Sequence, residues 1–144
     1  MKGSMKYLII YRLGDVEIKL GIFFDGQIYD AYSLLLDIIS SSKEDIVIID
    51  NYIDKTILDL LAKKNNNVKV TIMGKNHFKL SKLDIDKFNF QYPLLIIKED
   101  NRFHDRFIII DHDIIYHLGA SLKDLGVKVF GINQIKDKSL LEKL

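Results

Sequence analysis

The six residues Asp45-Ile-Val-Ile-Ile-Asp50 limit the possible folds more than any other part of the chain. Successive side chains of a strand point to opposite faces, so four β-branched residues in a row call for apolar surroundings on both. A strand of that kind lies inside a sheet with helices laid on either side. Asn51-Tyr52-Ile53 then leads to Asp54, a good helix N-cap, and Ile57, Leu58, Leu60 and Leu61 follow at helical spacing until Lys63-Lys64-Asn65-Asn66-Asn67 stops the pattern. Residues 68–73, VKVTIM, resume as a strand. The spacing predicts a strand-helix-strand unit closed by a right-handed parallel crossover.

The same reading extends to both ends. Residues 6–12 and 16–24 flank Leu13-Gly14-Asp15 and read as a hairpin or a pair of strands, and from Tyr29 the residues Tyr32, Leu35, Leu36 and Ile39 recur with helical period up to Ser40-Ser41-Ser42. Downstream, a short helix near 81–88 precedes strands at 94–98, 107–110, 114–118 and 127–130 and a terminal helix at 137–144. The expected fold class is α/β, a mixed β-sheet flanked by helices on both faces, in a single domain spanning 1–144. Gly3-Ser4 ahead of a second methionine, Met5, reads as a cloning scar, so residues 1–4 carry no weight.

Composition narrows the function classes. With 144 residues, 48% of them hydrophobic, the chain can bury a sizeable core. Twenty-one Lys and Arg against twenty Asp and Glu leave a net charge of +1, so no overall field draws in nucleic acid or acidic membrane, and any phosphate site must be local. The absence of cysteine excludes disulfides and thiolate chemistry and fits a cytoplasmic protein. No apolar run approaches the ~20 residues that span a bilayer. The N-terminal stretch, interrupted by Arg12 and Asp15, is not a signal peptide, and no membrane partner is expected.

The chemistry concentrates in 101–121, NRFHDRFIIIDHDIIYHLGAS. On an extended strand His104 and Arg106 share a face, which sets an imidazole beside a fixed cation. If His112-Asp113 is a two-residue hairpin tip, Asp111 pairs with Ile114, Arg106 falls opposite Gly119, and His104 falls opposite Ser121; a three-residue loop shifts this pairing by one. Asp111 is seven residues from His104, about 23 Å along a strand, and cannot be its direct partner. Imidazole can attack phosphorus or transfer a proton, guanidinium pairs with phosphate oxygens, and Gly119 lets backbone approach a ligand, so the residue types suit a phosphodiester.

Other polar residues carry less. Asn51 and Tyr52, just past the carboxyl end of the buried strand, are expected as walls of the same pocket. His77 reads as a loop residue and His117 as a structural one. Asp111, His112 and Asp113 form a polar turn, since three consecutive residues cannot converge on one ion, and neither a metal nor a cofactor is expected. The scattered Lys63, Lys64, Lys75, Lys79 and Lys82 read as solvated surface.

His104-x-Arg106-x-x-x-x-Asp111, followed by Gly119-Ala120-Ser121, resembles the HxKxxxxD plus Gly-Ser signature of the phospholipase D superfamily. The Lys-Glu-Asp lead into the strand ending at Asp50-Asn51-Tyr52, the helix and the Val-Lys-Val strand resemble the core of its minimal nuclease-like members. They are also similar to the PLD-like domains of phage and mobile-element proteins, and the likeness covers residues 25–132. The resemblance implies a metal-independent phosphodiesterase acting on nucleic acid rather than lipid. It makes His104 the nucleophile that forms a phosphohistidine, with His104 of a second chain as general acid. Arg106 and Ser121 would hold phosphate oxygens, and Asp111 would order the hairpin. Because the chain has one motif where the site needs two, the resemblance also implies a homodimer.

Two departures stand out. Arg106 occupies the family's lysine position with a larger, planar head. Ala120 separates Gly119 from Ser121, and Leu122-Lys123-Asp124 follows where the family often has asparagine. The alternative they support is a catalytically weak or inactive dimerisation module that binds phosphate or DNA.

Overall fold

The computed structural model describes residues 20–23, 28–75, 79–124 and 130–144. In chain order the elements are β1 (Leu20–Phe23), α1 (Ile28–Ser41), β2 (Asp45–Ile49), α2 (Thr56–Leu61), β3 (Lys69–Gly74), α3 (Lys82–Gln91), β4 (Leu95–Glu99), β5 (Arg106–Ile110), β6 (Ile114–Leu118) and β7 (Phe130–Ile135). Short 3₁₀ turns occupy Leu122–Asp124 and Ser139–Lys143. The seven strands make one sheet in the order β1-β7-β6-β5-β2-β3-β4. β2, β3 and β4 run parallel through two successive crossovers, and every other pairing is antiparallel. The mixed sheet of the expected α/β class is present.

The β-branched run behaves as its composition requires. Ile46 and Ile48 face one core and Ile49 faces a second, and all three are fully buried. The first core lies under the helices. Ala31, Leu34, Leu35, Ile38 and Ile39 of α1, spaced i, i+3, i+4, i+7 and i+8, pack there with Ile57, Leu60 and Leu61 of α2 and Phe88 of α3. Each Leu, Ile or Phe among them stabilises the fold by about 1.5–3 kcal/mol. The opposite face is closed by the C-terminal 3₁₀ turn, whose Leu140 and Leu141 join Phe103 and Phe107 over Ile49, Met73, Ile109 and Ile115.

Local chemistry explains the element ends. Ser81 caps α3 by accepting the Asp84 N–H at 3.0 Å. Asn65, from the Asn-rich segment that stops α2, donates its amide to the carbonyls of Ser40 and Ser42 at 2.9 and 2.8 Å, so the same segment also closes α1.

Some expected boundaries shift. The N-cap position of α2 is Lys55 rather than Asp54, although the Asp54 carboxylate still accepts the Thr56 N–H at 3.0 Å. The last described strand, Phe130–Ile135, continues past the expected end at 130, while residues 127–129 of that expectation lie outside the described residues; Gly131 weakens the strand pattern there. The terminal helix is the 3₁₀ turn Ser139–Lys143. Of the expected N-terminal hairpin, β1 is described and pairs with β7, while residues 6–12 lie outside the described residues, as does His77.

Candidate active site at the carboxyl edge of the sheet

β5 runs antiparallel to β2, so its first residues meet the carboxyl ends of the parallel strands, and β6 returns to the same edge. One edge therefore gathers Asp50, Asn51 and Tyr52 after β2, Lys75 after β3, Phe103 and His104 ahead of β5, and Gly119 to Ser121 after β6. Such an edge is where open α/β sheets hold ligands. Asp111 lies at the opposite end of β5, as the strand's length dictates.

The hairpin register differs from the two-residue reading. Ile110 pairs with Ile114 and Arg106 with Leu118, which leaves a three-residue loop at 111–113. Asp111 and His112 adopt left-handed φ values of 54° and 52°. The β5–β6 pairing ends before Asp111, whose N–H donates to the Asp45 carbonyl of β2 at 2.8 Å and whose carboxylate is held elsewhere. That carboxylate accepts the Ser42 hydroxyl at 2.8 Å and the N–H groups of Lys43, Glu44 and Asp45 at 3.1, 2.8 and 3.1 Å. Burial alone would raise its pKa, but the combined hydrogen bonds prevail and hold it below the usual carboxylate range. Asp111 thus pins the hairpin tip to the α1–β2 connection. Beside it, Asp113 pairs with Lys138, and His112 is exposed.

β5 begins at Arg106, with a bend at Asp105, so strand alternation does not set His104. Its backbone is located by Asn51. The Asn51 amide donates to the Phe103 carbonyl at 3.2 Å, while its side-chain oxygen accepts the Lys75 N–H at 2.9 Å. Only one orientation of the amide satisfies both partners. Asn51 is buried and engages backbone on two loops; it is a brace rather than the pocket wall expected. Tyr52 is half exposed at the same edge, and its N–H donates to Asp50.

His104 is exposed and has no hydrogen bond or ion pair among the described residues. Arg106 donates from Nη2 to the Gly119 carbonyl at 3.2 Å, and its Nε is buried with no partner among the described residues. Nearby, Asp105 approaches His117 at 3.5 Å, and His117 packs edge-on against Phe107, which fits a structural histidine. Arg102 forms a paired salt bridge with Asp100, whose carboxyl is thereby held low, and lies 5.0 Å over the Phe103 ring.

The outgoing side of the hairpin depends on Asp50, a residue the sequence reading did not assign. Asp50 is fully buried, accepts the Ser121 hydroxyl at 3.0 Å and accepts the Leu122 N–H at 2.9 Å. Ser121, expected opposite His104, is itself buried against this carboxylate. The signal in the sequence is a carboxylate closing a wholly apolar strand, which must find donors where the strand ends. Gly119 has a different use from the one expected. A Cβ there would sit 3.2 Å from the Gly131 backbone nitrogen, and the Gly119 N–H donates to the Gly131 carbonyl at 2.7 Å, so its size serves strand contact. Among the described residues no group of three metal-ligating side chains occurs.

Fold and edge together define an α/β domain with an open mixed sheet that gathers an imidazole, a guanidinium and a buried carboxylate at one end. Within that class, the chain has the fold of the phospholipase D superfamily. It superposes on Nuc, a phospholipase D family member from Salmonella typhimurium, with a TM-score of 0.59 at 20% identity, covering 87% of this chain and 88% of that one. NucT from Helicobacter pylori gives 0.59 at 17% identity, with 87% and 89% covered. TrmBL2, an archaeal chromatin protein described as having a novel mode of DNA binding, gives 0.54 at 15% identity, with 87% of this chain and 48% of that one covered. No family model and no curated protein matches the sequence.

Proposed function

We propose that the chain is a phosphodiesterase acting on nucleic acid, with His104 as nucleophile at a site completed by a second copy. The observation that carries this reading is the unused hydrogen-bonding capacity at this end of the sheet. The His104 imidazole is exposed and without a bond among the described residues, and the nearby Arg106 guanidinium has a buried N–H without a partner. An unsatisfied buried donor costs roughly 1–3 kcal/mol, which an arriving oxygen would offset. In this reading His104 attacks phosphorus to form a P–N bond while the ester oxygen leaves with a proton from the partner's imidazole. Water then cleaves the P–N bond and restores both histidines. Arg106 neutralises the non-bridging oxygens. The likeness in fold to Nuc supports the reaction class, and the likeness to the DNA-binding TrmBL2 supports the choice of nucleic acid.

A second reading, a phosphate- or DNA-binding dimerisation module without turnover, is favoured by the tether between Arg106 and Gly119, which holds the guanidinium to its own hairpin. One experiment separates the two. Cleavage of a generic phosphodiester in EDTA is expected, reduced more than about a thousandfold in His104→Ala. It should be unchanged in Lys82→Ala, whose lysine is exposed and paired with Asp86 on α3. Retained DNA binding with no cleavage by the native chain would establish the module instead.

A further inference from the structure

We infer that Asp50 is a positioning residue of this site, fixing the outgoing side of the β5–β6 hairpin relative to His104 while its neighbour Asn51 fixes the incoming side. The inference rests on the reading of His104 as the group that meets phosphate. Asp50 and Asn51 are consecutive, both buried, and placed directly after the carboxyl end of the central strand β2. Asn51 holds the carbonyl of Phe103, the residue before His104. Asp50 holds Ser121 by its hydroxyl and Leu122 by its N–H, and also accepts the Tyr52 N–H at 2.9 Å. Gly119, two residues before Ser121, supplies the carbonyl that orients Arg106. A single dipeptide therefore sets the relative placement of the imidazole and the guanidinium, although neither of its side chains is placed to touch substrate.

The chemistry requires a carboxylate. Three donors converge on Asp50, and an ionised carboxyl has two oxygens and no proton to oppose them. An amide of equal size has one oxygen and presents N–H groups to at least one of those donors. The Ser121 hydroxyl has one proton to donate, and its oxygen lies 3.0 Å from both oxygens of Asp50. Ser121 thus serves as a link from Asp50 to the loop rather than as a donor to a phosphate oxygen.

The test uses the full chain, with the His104 ring followed by NMR and inorganic phosphate as the probe. In Asp50→Asn, the His104 ring resonances are expected to shift or broaden, the Leu122 amide to lose its downfield position, and phosphate affinity to fall by about tenfold or more. In Ser121→Ala, the same ring and amide signals should move in the same direction while phosphate affinity changes less than about threefold, because Leu122 and Tyr52 still reach Asp50. His104 ring signals that stay native in Asp50→Asn would overturn the inference. Were Asp50→Asn not to fold, Ser121→Ala decides alone: unmoved ring signals, or phosphate binding weakened more than about tenfold, overturn it. The ring signal is readable whether or not the chain turns over a phosphodiester. Absence of cleavage would therefore remove the enzymatic reading and leave the role of Asp50 to this measurement.

Discussion

Asp111 and His104 flank the two ends of β5 and stand in opposite physical situations. Asp111 is satisfied by four donors from the α1–β2 connection, whereas His104 has no bond among the described residues. Removing the first should affect stability and removing the second should affect chemistry. We expect Asp111→Asn to lower unfolding free energy by about 2 kcal/mol at neutral pH, measured by urea denaturation, since it leaves several backbone donors short of a carboxylate. The sign of the pH dependence follows from the lowered pKa of this group. Its stabilisation is fully present above the unfolded carboxylate pKa and is lost as pH falls through the lower folded value. The gap between native and variant should therefore close only in strong acid. A gap that persists unchanged there would show that the charge of Asp111 is not what pins the hairpin tip.

At the scale of elements, the β5–β6 hairpin sets the geometry of the site through its register and through one close approach to β7. The backbone of Gly119 lies against that of Gly131, where the neighbour to an added Cβ is main chain rather than a flexible side chain. Gly119→Ala should push β6 and β7 apart at the site edge, lowering stability by about 1–2 kcal/mol. It should also displace the carbonyl that tethers Arg106. Thermal unfolding reads the loss of stability, and faster hydrogen exchange at the amide of residue 119 reads the separation of the strands. Native exchange at that amide would mean that the strands absorb the methyl group without separating.

For the whole molecule, the proposed mechanism needs two copies of one edge. If two His104 side chains meet in one site, exchanging an equal amount of His104→Ala chain into the native protein should cut total activity to about half, because mixed dimers are inactive. Independent sites would leave it unchanged. The near-zero net charge gives a second expectation. With no large basic field, the salt dependence of DNA binding should be shallow, since the proposed site would meet few phosphates. A steep dependence in a binding titration would point to a broader basic surface than this edge supplies.

The elements whose pattern is local were legible in the sequence. The run from Asp45 to Asp50 declared a doubly buried strand, the apolar spacing of α1 and α2 declared their inner faces, and the parallel β2–α2–β3 unit followed from both. His104, Arg106 and Asp111 stood out by their offsets, because chemically unusual residues on an apolar strand need a reason. Contacts between segments far apart in sequence were not legible. Whether the hairpin tip has two residues or three depends on what Asp111 meets across the sheet, and that partner lies 66 to 69 residues away. The same holds for Asp50, whose hold on Ser121 and Leu122 spans 71 and 72 residues. Residue type and spacing determined which side chains are candidates for chemistry. Tertiary structure alone decided which of them are braced and which remain open, because a hydrogen bond depends on distance in space and not on separation along the chain.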